Sequence, residues 1–187
     1  MKYRFAVVAV ALLMGVGVLK AEDKKPACMM MGKGAMPTKA VCSLSSASGS
    51  SVSGYVTFEQ KGDDVEVGGE VKGLTPGEHG FHIHDNGDCT APDAASAGGH
   101  FNPTGMPHGA LDAKEHHMGD MGNVKANQDG VAKIRLRMKG VMLCAILGRG
   151  VIVHGKVDDL KSQPAGNAGP RVACGVIGAI SSEVAKK

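Results

Sequence analysis

The 187-residue chain contains 28 glycines and no tryptophan, has only 3% aromatic residues, and carries a formal net charge of +3. A glycine-rich, aromatic-poor composition goes with short strands joined by many turns and excludes a helical bundle. The small positive balance disappears if the N-terminal cations Lys2, Arg4 and Lys20 are removed, so no basic excess points to a nucleic-acid partner.

Lys2 and Arg4 precede an apolar run from Phe5 to Leu19 that is too short for a comfortable membrane span. This reads as a signal peptide over residues 1–21, so the expected mature protein is exported, periplasmic or extracellular, without a stable membrane span. Residues 22–50 are rich in Met, Lys, Gly and Ser without a regular apolar period and predict a flexible extension, followed by one domain over residues 51–187. Export would put Cys28, Cys42, Cys89, Cys144 and Cys174 where disulfides persist, and the odd count leaves at least one of them unpaired within the chain.

Within the domain, SVSGYVTFEQ and VEVGGEV alternate polar and apolar residues around KGDD and predict a hairpin. A Pro-Gly turn leads into GEHGFHIHD, whose alternation puts Phe81 and Ile83 on one face and His82 and His84 on the other. Residues 85–116 show little periodicity, and a loop this long within a compact domain is usually functional. Further strands are expected in GNVKAN, VAKIRLRM, RGVIVHG and RVACGVIGAI. About eight short strands with two long loops predict an all-β sandwich or barrel.

Two histidines at i and i+2 on one strand face can converge on one ion, and His154 on another strand can supply a third ligand. His100, His108 and His117 follow at intervals of eight and nine, with Asp120 three residues further on. Imidazoles suit copper and zinc, and a mixed histidine and carboxylate set suits tetrahedral zinc. A single histidine on a strand face is more often a surface residue than a ligand, so the joint arrangement carries the reading. His79 and His116 fit no ligand interval as well and are assigned a structural and a surface role.

The stretches GFHIHDNGDC, GGHFNP, HHMGDMGNV, VIVHGKVDD and GNAGPRVACGVIG resemble, in order and spacing, the copper,zinc superoxide dismutases, and the resemblance covers about residues 52–180. It implies an all-β fold, an eight-stranded Greek-key β-barrel with two long functional loops and the site on its outside. It also implies copper bound by His82, His84, His100 and His154, and zinc by His100, His108, His117 and Asp120, with His100 bridging the two. By the same resemblance, Asp158 is the carboxylate linking His82 to His108, Arg171 guides the anion, and Cys89 and Cys174 form a disulfide. The implied reaction converts superoxide to oxygen and hydrogen peroxide by copper redox cycling, with zinc structural and His100 taking up and returning a proton.

The loop between His154 and Arg171 is shorter than in eukaryotic members of that family, lacks a clear counterpart of their guiding acidic pair, and has Ala165 where they often carry threonine. The apolar segment GVMLCAIL around Cys144 reads equally as a homodimer interface or as the site of a buried structural thiol. The extension holds four methionines between Cys28 and Cys42, a candidate copper donor because thioethers favour Cu(I). The plainer alternative there is a tether closed by a Cys28–Cys42 disulfide. For the whole protein, the alternatives to the enzyme are a copper-binding or copper-delivery protein on the same fold without turnover, and a noncatalytic interaction module.

Overall fold

In the computed structural model, which describes residues 36–181, strand-forming alternation begins well before residue 51. The segment KAVCSLSS forms β1 (Lys39–Ser46), with Ala40, Cys42 and Leu44 facing inward and the residues between them exposed. The barrel therefore claims residues that composition had assigned to the extension. Cys42 is a free, fully buried thiol, which corrects the expected Cys28–Cys42 disulfide. The expected signal peptide, Cys28 and Met29 to Met31 lie outside the described residues.

The remaining strands are β2 (Ser53–Lys61), β3 (Asp64–Lys72), β4 (Gly77–His84), β5 (Asp120–Ala126), β6 (Ala132–Met138), β7 (Gly150–His154), β8 (Arg171–Val176) and β9 (Gly178–Ala179). Their order is β2-β3-β6-β5-β4-β7-β8-β1-β9, and β1 also pairs with β2. Eight antiparallel strands thus close into a barrel of Greek-key type, with β9 as an extra strand on β1. Closure removes exposed edges from those eight strands. The expected single last strand is divided at Ile177, whose N–H donates to the Arg149 carbonyl and whose own carbonyl accepts from Gly148 N–H.

With few aromatics available, the interior is filled by Val56, Phe58, Val65, Phe81, Ile83, Met138 and Val151, all almost fully buried. GVMLCAIL contributes a single helical turn, α1 (Leu143–Ile146), whose Leu143 and Ile146 are buried in this core. Cys144, on the same turn, is disulfide-bonded, which corrects the buried-thiol alternative. Among the described residues, no helix is long and apolar enough to cross a membrane.

Candidate metal centre

The site stands on the outer face of β4, β7 and β8, beneath the segments 85–119 and 155–170. Strand parity sends Phe81 and Ile83 into the core, and His82 and His84 to the opposite face, where the loops bury them completely. Two ladder irregularities occur here, between Gly80 and His82 on β4 and between Val153 and His154 on β7. Such irregularities re-aim side chains beside a site. The long loop is pinned back on β4: Ile83 donates its N–H to the Gly119 carbonyl and accepts from Phe101 N–H. A Cβ at Gly119 would sit 2.2 Å from the Ile83 carbonyl oxygen, so only glycine permits that approach.

His82, His84, His100 and His154 bring one ring nitrogen each to within 4.8 Å of one another. Their outer nitrogens fix the tautomers. His84 Nδ1 donates to the Gly98 carbonyl at 2.9 Å, His154 Nδ1 to the Gly169 carbonyl at 3.1 Å, and His82 Nε2 to Asp158 Oδ2 at 2.8 Å. A proton on the outer nitrogen of a neutral ring leaves the inner nitrogen with its lone pair. Burial depresses the pKa of His82 to about 4, of His84 to about 2 and of His154 to about 3, so these rings are neutral at physiological pH.

The second cluster, His100, His108, His117 and Asp120, meets the same 4.8 Å limit. Asp120 Oδ1 lies 2.8, 3.1 and 3.4 Å from the Nδ1 atoms of His100, His108 and His117, while Oδ2 accepts the main-chain N–H groups of Gly109 and His117 at 3.0 and 2.9 Å. Burial alone would raise the Asp120 pKa. The hydrogen bonds from His100 and Gly109, with the charge of His108, instead hold it well below the usual carboxylate range. Burial lowers the pKa of His117; it also opposes protonation of His108, where Asp158 and Asp120 outweigh it and raise the pKa.

Six buried nitrogens, His82 Nδ1, His84 Nε2, His100 Nε2, His108 Nδ1, His117 Nδ1 and His154 Nε2, make no hydrogen bond. Each such atom costs about 1–3 kcal/mol if left unmatched. They fall in the two clusters, and a cation held in each would supply the missing partner. The donor sets fit: all imidazole at one, and three imidazoles with a carboxylate at the other, as copper and zinc prefer.

Around the clusters, Asp158 reaches both, since its Oδ1 accepts from His108 Nε2 at 2.9 Å while Oδ2 accepts from His82. Arg171 is the β8 partner of His154 and donates to the carbonyls of Ala94 and Gly98 at 2.5 and 2.6 Å. Cys89 and Cys174 are disulfide-bonded. His79 puts one ring nitrogen 2.8 Å from the His154 carbonyl and the other 2.8 Å from that of Thr75, and His116 bonds to the adjacent His117 carbonyl. Two amides absent from the sequence reading enter here. Asn123 pairs with the main chain of Asp158, and Gln163 with that of His108. Gln163 lies outside the quoted stretches, and Asn123, although within HHMGDMGNV, is not one of its ligands, so no spacing announces either role.

Residues 52–177 match the family model described as copper/zinc superoxide dismutase. A crystal structure of the clock protein EA4 is 38% identical and superposes with a TM-score of 0.72, covering 80% of this chain and 100% of that one.

Proposed function

The chain belongs to the copper/zinc superoxide dismutase family, and we propose that it converts superoxide to oxygen and hydrogen peroxide, with copper held by His82, His84, His100 and His154 and zinc by His100, His108, His117 and Asp120. The observation that carries this reading is the set of six unmatched inner nitrogens, with His100 common to both clusters. When bound, copper supplies one-electron exchange with superoxide and zinc a fixed positive charge.

The chain's own residues do the rest. Arg171 holds a guanidinium beside the first cluster, tethered through two loop carbonyls, and so attracts and orients the anion. Two superoxide ions and two protons give one oxygen and one hydrogen peroxide, and His100 Nε2 is an atom at which a proton can be held between the two halves. Asp158 keeps the rings of His82 and His108 in the tautomers that the clusters require. The N-terminal sequence and the Cys89–Cys174 disulfide support a place outside the cytoplasm.

The test is direct superoxide decay with oxidised protein carrying both metals, compared with its copper-free form. Fast decay that requires copper supports the enzyme. No acceleration at full occupancy of both sites favours copper binding or delivery without turnover. Copper donation by the methionine-rich segment is tested by deleting residues 22–35 and measuring loading at limiting copper. The deletion stops there because Lys39 opens β1.

A further inference from the structure

We infer that Gln163 is a positioning residue for the His108 cluster, acting through the His108 main chain. This rests on the metal-centre reading above and adds a residue to it. His108 N–H donates to Gln163 Oε1 at 2.8 Å, and Gln163 Nε2 donates to the His108 carbonyl at 3.0 Å. One side-chain amide thus satisfies both main-chain groups of a ligand that no strand supports, as a neighbouring strand would. Nε2 also donates to the Lys161 carbonyl at 3.2 Å, which holds the amide in orientation.

His108 is therefore gripped twice by the segment 155–170: at its ring by Asp158 and at its main chain by Gln163. Asp158 is itself anchored to the barrel, because Asn123 on β5 pairs with its N–H and carbonyl at 2.8 and 2.9 Å. Gln163 is the part of this grip that acts on backbone position rather than on the imidazole. That position serves two ligands at once, because the next residue, Gly109, donates its N–H to Asp120 Oδ2 at 3.0 Å. Releasing the Gln163 clamp lets the 108–109 main chain drift, displacing His108 Nδ1 and removing a hydrogen bond that orients Asp120. The first cluster shares only His100 with this one and keeps its own outer-nitrogen bonds.

The experiment uses the full chain loaded with copper and zinc, comparing wild type, Gln163→Met, Gln163→Asn and Asn167→Ala. Methionine keeps the length of glutamine without its donor and acceptor, and asparagine is too short to bridge both groups. Asn167→Ala loosens the same loop, where its amide bonds to Asp159 and Ser162, without touching His108. Zinc transfer to a chromophoric chelator, the visible spectrum of Co(II) in the zinc position, and amide exchange of His108 in the metal-free protein are recorded. Both Gln163 variants should release zinc about 10-fold faster, alter the Co(II) bands and lose protection of the His108 amide, with copper retention unchanged. Asn167→Ala should leave all three readouts near wild type. Zinc release no faster than wild type with the His108 amide still protected overturns the inference, as does an equal acceleration by Asn167→Ala. A wild-type protein that takes up neither zinc nor Co(II) overturns the site reading itself, and this inference with it.

Discussion

His84 and Arg171 share one acceptor. The Gly98 carbonyl takes an N–H from His84 Nδ1 at 2.9 Å and another from Arg171 Nη2 at 2.6 Å. Tautomer control of one candidate copper ligand and placement of the guiding charge thus depend on the same loop carbonyl. In Arg171→Ala, Gly98 keeps its bond from His84, so copper retention should persist while superoxide decay slows about 10-fold or more. Stopped-flow decay at confirmed copper content measures this. An equally fast copper-loaded variant removes the guiding role.

Asp158 bonds one unshared ring from each cluster, His82 through Oδ2 and His108 through Oδ1. Asp158→Ala should therefore weaken both sites together, by about 10-fold to 100-fold in metal affinity. Competitive chelator titrations of copper and zinc, run separately, provide the check. A loss confined to one metal contradicts the two-sided link.

The main chain crosses the Asp158–His108 bond at Gly166, where φ is +61° and a Cβ would lie 1.7 Å from Asp158 Oδ1 and 2.7 Å from His108 Nε2. Gly166→Ala meets both a strained backbone and a collision, for a cost of about 1–3 kcal/mol. Urea unfolding of the metal-free protein should show that loss, accompanied by faster zinc release. A variant as stable as wild type would mean that the loop can move away without consequence.

Burial pushes the Cys42 thiol up to about 12. A thiol whose pKa is raised in the fold gives stability that is complete below the unfolded value and is lost as pH rises toward the folded one. The difference in urea midpoint between wild type and Cys42→Ala should accordingly hold steady below about pH 9 and shrink above it. Alkylation of the native protein at neutral pH should leave Cys42 unmodified. A difference that does not vary with pH would show that Cys42 keeps an ordinary thiol pKa.

What could be read from the chain follows from which signals repeat. His82 and His84 stood out because period-two alternation sets them opposite Phe81 and Ile83, and the barrel class followed from several strands of that kind. β1 escaped because its inward residues are only Ala40, Cys42 and Leu44, with Val41 and Ser43 between them and two serines following, which resembles a flexible tail until β2 lies beside it. The arrangement of ligands around two points depends on the pairing of β4 with β7 and on a loop folded back at Gly119, neither of which is local in sequence. Gln163 and Asn123 act through main-chain groups far along the chain, so their residue type alone gave no sign of their contacts.

The Cys89–Cys174 bond spans 85 positions, and His100, His108, His117, Asp120, His154, Asp158 and Arg171 all lie within that covalent ring. A protease that cuts once in the exposed stretch 103–107 would make two polypeptides but not two molecules, because the cut falls inside the ring. The nicked product should migrate as one band until a reductant is added. Such damage need not scatter the ligands, and the protein can survive a single break where its loops are most accessible.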